Sequence, residues 1–160
     1  QLGYPGGPAI DKIAPDGNPH AVEFPRAMMH DGLDVSFSGL KTSVVNYVKK
    51  NPGVANVDIA ASFQAAVVDV LCAKTIKAAQ KVGAKGIVLG GGVSANSLLR
   101  SEMTTRGAAA GFTVALPSRD MCTDNAAMIA AAAWHRLASD GPTSLSCGAY
   151  PNLKLDAVPR

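Results

Sequence analysis

The chain has 160 residues, of which 48% are hydrophobic and 17% charged, and its formal net charge is +3. This length suffices for one domain with a sizeable core, or for one lobe of a larger protein, and the composition excludes a disordered chain. No continuous apolar run approaches the roughly 20 residues that span a bilayer, so no membrane segment is expected. The three cysteines are widely spaced, which favours reduced thiols and predicts a cytoplasmic protein.

The first third of the chain is rich in glycine and proline. It opens on Gln1 and a glycine–proline turn, unlike a signal peptide, so we expect the sequence to begin inside a longer protein. A short helix is predicted over residues 9–14, followed by an irregular stretch that three prolines impose on residues 15–30. Residues 35–39 suggest a short extended piece or a tight turn, and residues 40–49 a helix.

The middle of the chain alternates between predicted helices and strands. Its clearest helix covers residues 57–82, where an apolar stripe recurs at the helical period. The stripe comprises Ile59, Phe63, Val67, Val70 and Leu71. Strands follow at 86–89 and 112–116, with helices at 93–108 and 123–137. This alternation predicts an α/β layer whose sheet is covered on both faces.

We therefore expect three parts: a loop-rich and helical segment over residues 1–56, an α/β core over 57–140, and a polar tail over 141–160. The tail has room for one short strand. Alanine clusters near residues 60–66, 108–110 and 130–133 suggest helices that pack closely against their neighbours.

The most informative turn is Gly90-Gly91-Gly92, which joins the first predicted strand to a helix. Bare backbone N–H groups at such a turn favour an anion or a nucleotide phosphate. Glycines also permit a tight turn without any ligand, so the turn alone leaves both interpretations open. Asn96 is expected one turn into the helix.

Several common sites are absent from the sequence: the P-loop, the dinucleotide-binding glycine pattern, the zinc-protease H-E-x-x-H and the hydrolase G-x-S-x-G. Lys74, Lys77 and Lys81 share one helix face. Such a face is either simply solvated or a patch for a phosphate-rich partner.

Five short motifs together resemble one family, that of the TsaD tRNA threonylcarbamoyladenosine synthases, formerly described as glycoproteases. They are YPGGP at 4–8, FPR at 24–26, SFSGLKT at 36–42, GGVSAN at 91–96 with LR at 99–100, and CTDNAAMIA at 122–130. Each motif is weak alone, but their common order over residues 1–140 makes the resemblance specific.

The resemblance implies the actin-like ATPase superfold (ASKHA), with two RNase-H-like α/β lobes around a ligand cleft. This chain would be about the C-terminal half, one lobe with helical elements. The implied reaction transfers the threonylcarbamoyl group from threonylcarbamoyl-adenylate to the exocyclic amine of the tRNA adenosine 3′ of the anticodon.

The resemblance also implies roles for individual residues. Gly7 would contact the adenylate, and Asp11 would accept hydrogen bonds from its ribose hydroxyls. Gly91 and Gly92 would let the backbone pass close to the nucleotide, which the Asn96 amide would contact. No catalytic side chain is assigned.

Asp124 would be one of three ligands of an iron or zinc ion, together with two histidines of an H-x-x-x-H motif. That motif does not occur in this sequence. One carboxylate does not hold a transition metal tightly, so we expect the isolated chain to be inactive and to bind no metal specifically.

Partners implied by the resemblance are tRNA, threonylcarbamoyl-adenylate, a TsaB-like paralogue and a TsaE-like ATPase, and no membrane is expected. Two alternatives remain open from the sequence. One is a small-molecule kinase or other ATPase of the same superfold. The other is a non-enzymatic RNA-binding module that uses Lys74, Lys77 and Lys81.

Overall fold

A computed structural model describes residues 3–152, which fall into two compact units divided between Thr123 and Asp124. The first unit contains α1 (Gly6–Ile13), α2 (Ser38–Lys50), α3 (Asn56–Lys81), β1 (Gly86–Val88), α4 (Ser97–Ala109) and β2 (Thr113–Ala115). Short 3-10 helices lie at Ala14–Asp16, Gly92–Ala95 and Arg119–Met121. The second unit contains α5 (Ala126–Asp140). The three-part division made from the sequence stays a prediction.

The two strands and the helix between them form a parallel β–α–β unit, as the alternation predicted. Gly86, Ile87 and Val88 pair with Thr113, Val114 and Ala115 in register. Ile87 is buried, whereas Val88 is 79% exposed. Alternate strand residues point to opposite faces, so only one face of this sheet is covered. The expectation of a sheet covered on both faces is therefore wrong for the described chain.

Helix α3 is the central element of the first unit. Its Cys72 side chain and Met103 from α4 are fully buried, in a cluster that includes Ile87 and Leu99. Asp58 in its first turn and Lys81 in its last complement the helix dipole. By length and composition α3 could also cross a membrane, but core helices pass the same test, and 56% of its most apolar window is buried.

The proline-containing stretch before α2 is irregular, as predicted, yet it packs against α3. Phe24 is 2% exposed and meets the Tyr47 ring edge to face, with centroids 5.7 Å apart. The backbone N–H of Val22 donates to the Ser62 hydroxyl at 3.1 Å, and that hydroxyl donates to the Asn18 carbonyl. Helix α2 begins directly after Phe37, without a strand before it.

The second unit consists of α5 and the described part of the tail. Helix α5 starts at Ala126, three residues later than predicted, because the Asn125 side chain caps it by accepting from the Met128 N–H at 3.1 Å. None of its residues is buried, and the close packing expected of residues 130–133 stays a prediction. Residues 141–152 form no strand, and the rest of the predicted tail lies outside the described residues.

Candidate functional site

A cavity of about 780 Å³ lies beside α3 in the first unit, bounded also by α1 and by the segment that leads into α4. Its volume falls within the range of small-molecule sites, about 300–1,000 Å³. Phe63, Val67 and Leu71 form an apolar wall, each of them half-buried. The predicted apolar stripe thus partly forms a cavity wall, which suits the flat face of an aromatic ring such as a nucleobase.

Asp11 lies on the polar side of this cavity and links α1 to the start of α4. Its Oδ1 accepts from the Ser97 backbone N–H at 2.9 Å, and its Oδ2 from the Ser97 hydroxyl at 2.8 Å. A carboxylate has about four acceptor positions, of which these bonds use two. Asp11 therefore holds α4 in place and retains capacity to accept from ligand hydroxyls.

Asn96 also lines the cavity, but not where the sequence placed it. The glycine turn runs into the 3-10 helix, and Asn96 then takes an extended backbone conformation as the N-cap of α4. Its Oδ1 accepts from the Leu99 N–H at 2.9 Å, and its Nδ2 donates to Gln64 Oε1 at 3.0 Å. The prediction of Asn96 one turn inside a helix is wrong, because its side chain replaces a backbone bond at the helix start. One Nδ2 hydrogen is left for a ligand.

The three glycines predicted at the site differ in position. Gly7 and Gly92 line the cavity, and a Cβ at Gly7 would meet nothing within 4 Å. Gly91 is not among the lining residues. Its φ of 83° requires glycine, and its carbonyl accepts from the N–H and the hydroxyl of Ser94. Gly91 therefore shapes the turn, while Gly7 and Gly92 leave space for a ligand.

The Arg100 side chain holds the segment after the glycine turn in place. Its Nη1 donates to the Ser94 carbonyl at 3.1 Å, and its Nη2 to the Pro117 carbonyl at 2.7 Å. These bonds join the 3-10 helix at Gly92–Ala95 to the segment that follows β2.

Sequence reasoning missed four polar or charged residues that line the cavity: Lys12, Gln64, Ser97 and Arg119. The signal for Gln64 was a polar residue inside the apolar stretch of α3, and it is 6% exposed. The signal for Ser97 was the pair Asn96-Ser97, two residue types typical of a helix start. No sequence pattern singled out Arg119.

The lysine face of α3 is not a uniform solvated surface. Lys77 and Lys81 are exposed, but Lys74 is 4% exposed, and its ammonium group donates to the carbonyls of Asp31 and Gly32. A three-lysine patch for RNA is therefore not formed, since its first member is committed to the loop before α2.

Asp124 belongs to the second unit, where it is exposed and precedes the Asn125 cap of α5. Within residues 3–152, no three His, Cys, Asp or Glu side chains come close enough together to hold a metal ion. Structural and catalytic metal sites use three or four ligands, so the described residues do not by themselves fit an iron or zinc site.

The cavity combines a glycine turn after a parallel strand, an acceptor carboxylate and an apolar wall, which together define a small-ligand site of an α/β protein. The family comparison makes this specific: residues 1–131 match the TsaD family, described as tRNA N6-adenosine threonylcarbamoyltransferase. The chain belongs to this family. The match favours the transferase interpretation over the alternative of a small-molecule kinase.

Individual relatives agree with this assignment. The tRNA N6-adenosine threonylcarbamoyltransferases of Moorella thermoacetica and Clostridioides difficile are each 48% identical over 160 residues, covering 97% of this chain. That of Clostridium perfringens strain 13 is 46% identical over 159 residues, covering 96%. The chain spans about half the length of these curated relatives, 47% in each case.

Proposed function

We propose that this chain is the nucleotide-binding half of a tRNA threonylcarbamoyladenosine transferase with the two-lobed actin-like fold. The full protein would move the threonylcarbamoyl group from threonylcarbamoyl-adenylate to the exocyclic amine of the tRNA adenosine 3′ of the anticodon. The observation that carries the proposal is the shared cavity: Gly7, Asp11, Gly92 and Asn96, all predicted from the family resemblance, line one space.

In this proposal the adenosine part of the ligand occupies the cavity. Its base packs against Phe63, Val67 and Leu71, and its ribose hydroxyls donate to the open acceptor positions of Asp11. The remaining Nδ2 hydrogen of Asn96 donates to the nucleotide. Gly7 and Gly92 allow the backbone to approach it closely.

The proposal also includes a metal, partners and a location, each supported by the family relationship. Asp124 would bind iron or zinc together with histidines from outside this sequence, and the ion would act as a Lewis acid. A TsaB-like paralogue and a TsaE-like ATPase would assist in the cytoplasm. The isolated chain, without those histidines, would have no transferase activity.

A chimera tests the proposal, with this chain replacing the matching part of the Moorella thermoacetica relative. Incubated with tRNA, ATP, threonine, bicarbonate and the partner proteins, the chimera is expected to form modified adenosine, measured by mass spectrometry. The chain alone should form none.

Within the chimera, Asp11→Asn should lower kcat/KM about tenfold or more, because a ligand hydrogen bond to a charged group is lost. Asp16→Asn, at an exposed carboxylate outside the cavity, is the matched control and should leave the rate unchanged. A chimera with the far-UV circular dichroism of the Moorella protein but no product would contradict the proposal.

A further inference from the structure

Two cationic side chains lie on the rim of the cavity, and the sequence predicted no role for either of them. Lys12, from α1, and Arg119, from the 3-10 helix Arg119–Met121, both line it. Asp11 is the one acidic side chain among the lining residues, so the charged groups around the cavity carry an excess of one positive charge. A cavity with this balance favours an anionic ligand over a neutral one.

The Asp11 carboxylate forms no direct ion pair with the Arg119 guanidinium. The Ser97 hydroxyl donates to Asp11 Oδ2 at 2.8 Å and accepts from Arg119 Nη2 at 2.9 Å, so it stands between the two charges. Arg119 forms none of the ion pairs found among residues 3–152. One of its five N–H donors is committed to Ser97, which orients the group and leaves the others available.

We propose that Arg119, assisted by Lys12, forms the subsite for the 5′-phosphate of a nucleoside monophosphate ester in this cavity. The guanidinium presents paired N–H donors that match two phosphate oxygens, whereas the Lys12 ammonium supplies a point charge. The proposal rests on the proposed function, in which Asp11 holds the ribose. A single hydroxyl separates Asp11 from Arg119, so a phosphate attached to that ribose lies within reach of the guanidinium.

The two side chains should therefore contribute unequally. Arg119 can make a bidentate contact from a position fixed by Ser97, whereas Lys12 is exposed and has no such fixed orientation. Removing Arg119 should abolish the preference for the phosphate, and removing Lys12 should only reduce it.

Calorimetric titration of the 160-residue chain with adenosine and with AMP tests this subsite. The wild-type chain should bind AMP at least about tenfold more tightly than adenosine, because charge-assisted hydrogen bonds to the phosphate are added. Arg119→Ala should bring the AMP affinity down to that of adenosine and leave the adenosine affinity within about twofold of wild type. Arg119→Lys should restore part of the AMP preference.

The matched control is Arg136→Ala, which removes an exposed arginine of α5 and should change neither affinity. Equal wild-type affinities for adenosine and AMP, or an AMP preference that persists in a folded Arg119→Ala chain, would overturn the phosphate subsite but leave the proposed function intact. A wild-type chain that binds neither ligand would overturn both. If Arg119 instead contacts tRNA phosphates, its replacement would weaken tRNA binding and leave the AMP preference unchanged, which also overturns the subsite.

Discussion

At the residue scale, the structure separates side chains that fix the fold from side chains that remain available to a ligand. Lys74 is the clearest of the first kind. It is 4% exposed, and its ammonium group reaches the carbonyls of Asp31 and Gly32 in the loop before α2. A buried ammonium is tolerated only when its donors find acceptors, so this lysine and the loop stabilise each other.

Replacing this lysine by methionine should therefore destabilise the chain. Lys74→Met keeps most of the side-chain volume but leaves the carbonyls of Asp31 and Gly32 without their donor. The free energy of unfolding, measured by urea denaturation, should fall by about 1–3 kcal/mol. Lys77→Met, at an exposed position of the same helix, should change it by no more than about 0.5 kcal/mol. Equal effects of the two substitutions would show that Lys74 has no structural role.

Residue types were predicted better than residue geometry. Asp11 and Asn96 were selected from the family resemblance, and both line the cavity. The sequence did not show that Asn96 ends the 3-10 helix, since Val93-Ser94-Ala95 is compatible with a continuous helix. The cap became visible only where the Asn96 side chain meets the Leu99 N–H, because capping depends on where the helix starts.

At the element scale, Asp69 on α3 joins two other parts of the first unit. Its Oδ2 pairs with Arg26 from the loop before α2 at 2.7 Å, and its Oδ1 pairs with Arg106 from α4 at 2.8 Å. Burial alone would raise the pKa of the Asp69 carboxyl, but the hydrogen bonds and charges of Arg106 and Arg26 outweigh it and lower the pKa below its ordinary value.

This lowered pKa sets the pH range in which the ion pairs stabilise the fold. A folded-state pKa below the unfolded value means that the stabilisation is complete above the unfolded pKa of about 3.9, and is lost as the pH falls through the folded value. Asp69→Asn should lower the free energy of unfolding by about 1 kcal/mol or more at pH 7, since charged hydrogen bonds are lost. The difference from wild type should shrink below about pH 4.

Asp140→Asn is the control, since Asp140 is exposed and bonds only within its own region of α5. It should have little effect at any pH, because exposed pairs contribute little. A difference between wild type and Asp69→Asn that grows as the solution is acidified would contradict this account of Asp69.

The order of the main helices and strands was predictable, because apolar periodicity, glycine and proline report local structure. Burial was less so. Val88 was expected in a sheet covered on both faces and is exposed. Which surfaces are covered depends on contacts between distant segments, and hydrophobicity alone does not specify those contacts.

At the scale of the whole molecule, the central claim is that the cavity of the first unit binds an adenine nucleoside. The claim combines family membership over residues 1–131 with a space lined by residues from motifs far apart in sequence. Gly7 and Asn96 are separated by most of the first unit along the chain, yet both line this space. The motifs predicted the residues, whereas the structure supplied the apolar wall and the cationic rim.

Titration of the isotope-labelled chain with adenosine, followed by amide NMR, tests this claim most directly. The account predicts saturable shifts for the amides of Asp11, Gly92, Asn96 and Ser97, and none for those of α2, whose residues do not line this cavity. Asp11→Asn should weaken the binding. The absence of any saturable shift, or saturable shifts confined to α2, would contradict the account.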